Sequence, residues 1–296
     1  VVSPLLQSNL DKLDDNFAKF LRSWATARMS EVEPGKAQFI AAVIGNFSNL
    51  IREFPQGKRA INLEISMTGY KFVATVFTCE AFPQEWATSQ NNLGTAYFDR
   101  IRGKKTENLE VAISYYKAAL QEYTREAFPQ EWATIQNGLG NVYVKRIEGK
   151  RVDNLETGIR YYQAALEIRT PSDSPQQWAT TQHNLGTAYR NRIRGERAEN
   201  LESAIRCYNG ALEVRIRQVF PQHYRAETQI NLGVAYSERI REKRAENLES
   251  AIRCYDAALE VLTGEAFPER WATLQNNLGT VYYDRIEGER AENLES

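Results

Sequence analysis

Cysteine is scarce here: Cys79, Cys207 and Cys254 are the only three, far apart, odd in number and never in a CxxC pair. That usage excludes a disulfide framework and a cysteine-ligated zinc site, and it fits a reducing, cytoplasmic setting. Long apolar runs are missing as well. No stretch approaches the roughly 20 residues a membrane helix needs, which excludes a membrane-spanning chain. Nor is there an excess of one charge. The 37 basic and 38 acidic residues are mixed along the sequence and leave a net charge of −1, so no global field draws in nucleic acid or anionic lipid.

The usual marks of a catalytic site are also absent. There is no HExxH, no GxSxG and no P-loop; "GKKT" at Gly103 lacks the upstream glycine that lets backbone amides cradle phosphate. The GxG of Gly138 and Gly140 falls inside a helical pattern rather than after a strand. The sequence therefore implies no catalytic residue, no cofactor and no metal. Its first residues, "VVSPLLQSNLDKLDDNF", lack the order of a signal peptide and an initiator Met, so the chain reads as an internal piece of a longer one.

What the sequence does contain is repetition. "EAFPQEWATSQNNLGTAYFDRI", from Glu80, returns as "EAFPQEWATIQNGLGNVYVKRI" from Glu126, and three looser versions follow. The leucines of the Leu-Gly pairs, Leu93, Leu139, Leu185, Leu232 and Leu278, are spaced by 46, 46, 47 and 46 residues, the range of helical repeats. Within one copy, Trp86, Leu93, Ala96, Tyr97 and Ile101 share a helix face, as do Ala112, Tyr116, Ala119, Leu120 and Tyr123. The spacing predicts a first helix opened by Phe82-Pro83 and closed near Gly103, then a second from about Leu109 to Tyr123. Asn108, Asn154, Asn200, Asn247 and Asn293 stand where an N-cap of each second helix belongs, with Glu two residues later suiting the helix dipole. A glycine inside each first helix costs about 1 kcal/mol against alanine, which is tolerable where another helix must approach closely.

This reading gives an all-α chain of antiparallel helix pairs in one continuous solenoid domain. An N-terminal capping helix lies within 1–35, its stripe formed by Leu6, Leu10, Leu13, Phe17, Leu21 and Trp24. A degenerate repeat spans 36–82, with helices over 39–54 and 62–77. Clear repeats follow at 83–128, 129–174, 175–220 and 221–267, and a truncated one at 268–296. The fourth carries an extra residue that puts Arg225 where Trp belongs, which predicts a local irregularity. The last complete helix, over 268–287, is expected to leave Leu278, Val281 and Tyr282 uncovered, so the natural chain is expected to continue past Ser296.

The order Trp, Leu-Gly, Tyr, then Ala, an aromatic and Ala-Leu ("AISYYKAAL") resembles the tetratricopeptide repeat, lengthened here from 34 to 46 residues. The wording "AFPxxWATxQNNLG" also looks like arrays that cyanobacterial multidomain proteins carry beside caspase-like (CHAT) or nucleotide-switch domains. The family resemblance implies a right-handed superhelical α-solenoid whose concave groove, lined by the first helices, binds a protein or peptide. Mapped onto this sequence, it places Thr88, Asn91, Thr95, Phe98 and Asp99 in the groove, then Asn137, Asn141 and Lys145, then His183, Thr187, Arg190 and Asn191. Glu227, Ile230 and Asn231 follow, and Thr273, Asn276 and Tyr283 complete the set. These letters change between copies while the packing letters do not, so they are the ones free to carry function. Relatives that clamp a chaperone's terminal carboxylates place Lys beside Asn; here Lys145 and Arg190 are the only strong cations of the set.

Three features have two readings. His183 occupies an Asn position with no Ser or Cys partner legible nearby, and reads as a groove hydrogen-bonder rather than an acid-base catalyst. Cys207 and Cys254, where other copies have tyrosine, read as small buried hydrophobes. Arg100, Arg146, Arg192, Arg239 and Arg285, each matched by a Glu ten residues on, form either a structural ladder between the two helices of a pair or a basic strip for an acidic partner. The functional expectation is a non-enzymatic protein- or peptide-binding scaffold or sensor, with no nucleic acid or membrane partner. The alternative is the regulatory half of a caspase-like enzyme whose catalytic domain lies beyond Ser296, and self-association through an uncapped C-terminal repeat is a further option.

Overall fold

A computed structural model describes residues 2–29, 31–217 and 221–295. All regular structure among them is helical: thirteen α-helices, one 3₁₀ turn at Leu10–Lys12 and no strand. After α1 (Val2–Gln7) and α2 (Asp15–Met29) the helices run in pairs, α3 (Pro34–Glu53) with α4 (Arg59–Val76) and α5 (Pro83–Asp99) with α6 (Lys105–Ala119); α7 (Pro129–Lys145) and α8 (Arg151–Leu166) follow in the chain. Then come α9 (Pro175–Arg190) with α10 (Arg197–Arg217), α11 (Gln222–Ser237) with α12 (Arg244–Leu259), and finally α13 (Pro268–Glu295). This is the α-solenoid class, successive helices packing on one another within each of two units. The chain divides into two compact units, 1–149 and 150–296.

Local chemistry sets each helix start. Pro34, Pro83, Pro129 and Pro175 sit in the first turn, where a missing N–H costs nothing and φ is already helical. At α11 the pattern slips. Pro221 is the N-cap and the helix begins at Gln222, which is the irregularity expected of the inserted residue. The hairpin turns need a left-handed residue: Gly57, Gly103, Gly149 and Gly195 have φ near +80°, and Glu242 takes the same place at φ 68 without the glycine.

The second helices begin three to four residues earlier than the spacing predicts, at Arg59 and Lys105, and this changes the role of the recurring asparagines. The N-caps of α4, α6, α8 and α12 are Lys58, Lys104, Lys150 and Lys243, none with a side-chain cap bond. The asparagines are not caps. Asn62, Asn108, Asn154, Asn200 and Asn247 lie inside the helix, almost wholly buried, and Nδ2 of Asn62, Asn108, Asn200 and Asn247 donates back across the turn to the carbonyls of Gln56, Arg102, Arg194 and Arg241 at 2.9, 2.8, 3.0 and 2.8 Å; the side chain of Asn293 lies outside the described residues. A tight turn leaves carbonyls without helix partners, and a buried amide supplies the missing donor.

The N-terminal segment also departs from expectation. A single helix over residues 4 to 30 is instead broken, because Ser8 and Asn9 fold back onto the carbonyls of Pro4 and Leu5, and Asp14 restarts the chain by accepting the Phe17 N–H at 2.8 Å. Leu6, Leu13, Leu21 and Ala25 are buried, whereas Trp24 turns outward with Phe20 and Phe39 at the rim of an apolar cleft of about 390 Å³.

In the interior, Gly94, Gly138, Gly186 and Gly233 each face a tyrosine ring. A Cβ at Gly94 would lie 2.8 Å from the Tyr116 ring, and one at Gly138 2.7 Å from the same ring; Gly186 meets Tyr208 at 2.8 Å and Gly233 meets Tyr255 at 2.5 Å. The close neighbour is thus a tyrosine wedged against helix backbone. Ala87, Ala96, Ala112 and Ala119 are fully buried around it. Each buried ring satisfies its hydroxyl, Tyr116 with Thr95 and Tyr208 with Thr187, both at 3.0 Å.

The arginine ladder is structural, and it ties each hairpin to the next rather than the two helices of one pair. Arg100 Nε donates to Glu64 at 2.8 Å; Arg146 to Glu110, Arg192 to Glu156 and Arg239 to Glu202 follow at 2.7 Å, and Arg285 to Glu249 at 3.0 Å. Several are two-pronged, and Arg100, Arg146 and Arg192 also stack on Tyr97, Tyr143 and Tyr189. The following isoleucines do not pack as the periodicity suggested. Ile101, Ile147, Ile193 and Ile240 lie past the helix ends and are 57–63% exposed. Replacing Arg239 with Gln is expected to cost about 1 kcal/mol in urea unfolding, and the same change at Arg285 distinctly less, because the 239–202 pair is 20% and 14% exposed and the 285–249 pair 42% on both sides. Equal losses at the two sites would show that burial does not set the strength of the rungs.

At the C-terminal end α13 runs on through Gly288 to Glu295, where a turn and a second helix were expected. Leu278 and Val281, expected to be uncovered, are buried with Leu274 against Tyr255 and Leu262; Tyr282 is exposed as expected.

Candidate functional site

The groove positions fall into two groups once their partners are known. Some are committed to the scaffold. Thr88 bonds the Tyr123 hydroxyl at 2.6 Å, and Thr95 and Thr187 serve Tyr116 and Tyr208 as above. Tyr123 lies beyond α6 rather than in it, its hydroxyl also donating to the Gln84 carbonyl. The others differ in burial. The half-buried Asn91 holds its Oδ1 away from solvent with no hydrogen-bond partner among the described residues. Asn137 and Asn141 are half-buried on α7; Asn191, Asn276 and Tyr283 are exposed.

In the first unit, the ends of α5 and α7 carry charge. Asp99 sits 3.9 Å from Arg59, and burial raises its pKa although Arg59, Arg52, Lys105 and Lys145 all pull the other way. Lys145 lies over the Phe98 ring at 4.9 Å and Lys105 over the same ring at 5.2 Å.

In the second unit, α9, α11 and α13 bring together His183, Glu227, Ile230, Asn231, Glu269, Arg270 and Thr273 around a pocket of about 440 Å³. Glu227 and Arg270 pair across it at 2.7 Å. His183 Nδ1 lies 3.0 Å from Thr228 Oγ1 and Nε2 3.4 Å from Asn231 Nδ2, with the Tyr208 ring edge-on. Burial, then the charges of Arg215 and Arg190, push its pKa down to about 4. The ring is therefore neutral near pH 7, donating from Nδ1 and accepting at Nε2. The hydroxyl partner that the sequence did not reveal is Thr228, one helix pair away. It is fully buried, donates to the Tyr224 carbonyl and accepts from Arg215. A hydroxyl so enclosed cannot reach a substrate, so this His–Thr contact orients the imidazole rather than activating a nucleophile.

Arg215 was missed by the sequence reading. It is 5% exposed, faces no carboxylate within ion-pair distance among the described residues, and its pKa is lowered by burial, with Glu227 opposing. The signal was in the repeat itself: Phe77, Tyr123, Arg169, Arg215 and Leu262 occupy one position, and the two arginines break a hydrophobic column. Cys207 and Cys254 are half-buried, and burial raises their thiols to about 12 and 11, so neither is a thiolate. Among the described residues no cluster of ligating side chains could hold a metal, and no helix is long and apolar enough to cross a membrane.

Comparison with known proteins agrees with this architecture. No curated protein sequence matches the chain. Among solved structures, that of BtubC (BKLC) from P. vanneervenii is similar with a TM-score of 0.60 over 85% of this chain and 90% of that one, at 18% identity, a likeness of fold. A tetratricopeptide repeat family matches residues 178–215, the segment from Trp178 through α9 and α10. Together with the succession of helix hairpins, these findings support a repeat protein of the tetratricopeptide type.

Proposed function

We propose that this chain is a non-enzymatic protein-interaction scaffold, cytoplasmic, that takes a peptide segment on the first-helix surface of its hairpins. One observation carries the reading. On that surface the residues differ from hairpin to hairpin and line a pocket beside His183, while the scaffold residues behind them repeat. A surface of amides, hydroxyls and one neutral imidazole bonds a ligand's main chain without demanding charge. Panning a displayed peptide library on the whole chain should enrich ligands whose affinity falls about tenfold in an Asn91→Ala, Ile230→Ala variant that melts within a few degrees of the parent. Enriched peptides indifferent to both substitutions would place the binding surface elsewhere.

A further inference from the structure

Each first helix from α5 onward carries two positions, seven residues apart, that packing closes completely. Ser89, Ile135, Thr181, Thr228 and Leu274 hold the first of them, Ala96, Val142, Ala188, Ala235 and Val281 the second, and every one is 0–3% exposed. The cover comes from the second helix just before it in the chain. Leu93 and Ala96 of α5 pack with Met67 and Tyr70 of α4, Leu232 and Ala235 of α11 with Ile205 and Tyr208 of α10, and Leu278 and Val281 of α13 with Ile252 and Tyr255 of α12. The covering side chains are thus a tyrosine and an aliphatic residue three positions before it.

In α3 the same two positions have no such cover among the described residues. Val43 and Leu50 stand 46 residues before Ser89 and Ala96, and they are 50% and 46% exposed; Phe39, one turn before Val43, is 70% exposed. The helix that precedes α3 in the chain is α2, and it packs chiefly on α4, so it does not take the place of a preceding second helix. Between α2 and α3 lies the cleft of about 390 Å³, and every side chain that lines it is apolar, with Phe20 and Trp24 contributed by α2 and Phe39 and Val43 by α3. No charged residue occurs in α3 from Ala37 to Ile51. An apolar face that the sister helices bury, left open beside an apolar cleft, has the character of an interaction site rather than of ordinary surface.

We infer that this face of α3, together with the α2 wall of the cleft, docks an amphipathic helix of another protein, whose apolar stripe is built like that of the chain's own second helices. The sister helices identify the occupant, because α5, α11 and α13 close the same face with a helix that presents a tyrosine and an aliphatic residue three positions before it. A helix lying in a groove is held through anchors three, four and seven residues apart, and Phe39, Val43 and Leu50 repeat at four and seven along the receiving face. The site is separate from the surface of Asn91 and His183: Val43 and Leu50 correspond to buried packing positions, not to the variable ones.

The test uses the whole chain and a fluorescent peptide, blocked at both ends, with the sequence of residues 104–123. That segment has Ile113 and Tyr116 at the required spacing, and in the chain its Tyr116 ring packs on Gly138 of α7. Anisotropy should show binding, and Val43→Asp and Phe39→Asp should each weaken it about tenfold or more, because a carboxylate placed under the docked helix loses its water. Both side chains are at least half exposed, so both variants should melt within a few degrees of the parent. Ile101→Asp, the same change at an exposed isoleucine past the end of α5, should leave the affinity unchanged, and a peptide carrying Ile113→Asp and Tyr116→Asp should not bind. No binding of the first peptide, equal binding of the doubly substituted one, or an equal loss in Ile101→Asp would each overturn the inference. Affinity unchanged by both Val43→Asp and Phe39→Asp would overturn it too, by placing the peptide elsewhere, as on the open side of Gly279 in α13. A parent chain that sediments as a dimer, becomes a monomer in Val43→Asp and takes up no peptide would assign the face to a second copy instead.

Discussion

Gly233→Ala lowers the unfolding free energy by about 2 kcal/mol, and Gly279→Ala, the same substitution at the matching position one hairpin on, raises it by up to about 1 kcal/mol. In both helices alanine relieves the roughly 1 kcal/mol that glycine costs in a helix interior. At Gly233 a new methyl would stand 2.5 Å from the Tyr255 ring, which is 1% exposed and bonded at its hydroxyl to Ser237, so the ring cannot swing clear. Forcing volume into so closed a site costs typically 1–3 kcal/mol beyond the propensity gain. At Gly279 no atom lies within 4 Å of the added carbon, and only the gain remains. Urea unfolding of the two variants measures the difference directly. Combining Gly233→Ala with Tyr255→Leu should recover part of the loss, since it removes the ring that clashes. If the two alanines stabilise alike, the tyrosine wedge is not what the glycines serve.

That prediction also shows why the sequence could announce a close approach at each glycine without saying what approaches. The period of 46 and the stripes of Leu93 and Tyr116 define two amphipathic helices per repeat, and α5 and α6 follow. Periodicity does not place the turn, however. Asn108 is as good an N-cap by type as any residue, and only the left-handed φ of Gly103 moves the helix start to Lys105 and turns the asparagine into a staple across the loop. Composition along one helix likewise cannot say which rung of a ladder a charge will meet. Glu64 and Arg100 are 36 residues apart, and pairing across hairpins had to come from packing. Trp24 fits its stripe by spacing yet is 42% exposed, at the edge of the cleft that Phe17 and Leu21 also line. At the candidate site, the identity of the variable residues was legible and their freedom was not. Thr95 and Thr187 look available until the buried tyrosine hydroxyls beside them are seen to need partners.

His183→Asn should leave the chain folded near pH 7 and remove about 2 kcal/mol of the stability that the parent loses between pH 6.5 and pH 4. Asn91, Asn137 and Asn276 occupy the same place in sister hairpins, so the backbone accepts asparagine there. In the parent, the imidazole's pKa is depressed from 6.5 to about 4 by burial and by Arg215 and Arg190. Between those values the unfolded chain binds a proton that the folded chain refuses, so stability rises with pH across the window. The contribution is fully present above pH 6.5 and is lost as pH falls toward 4. A shift of that size corresponds to at most about 3 kcal/mol, and the solvent access of a half-buried ring brings the expectation nearer 2. Acid weakens other contacts in the same range, since Glu156 and Glu202 have pKa values lowered by Arg192 and Arg239. Those losses are common to both chains, so the difference between parent and variant isolates the imidazole. Urea unfolding at pH 7, 5.5 and 4 would show two curves that converge as the pH falls, the parent starting higher or level and losing more. Parallel curves would mean that His183 takes up its proton in the folded state at an ordinary pKa, and that the Thr228, Asn231 and Arg215 enclosure does not hold it neutral.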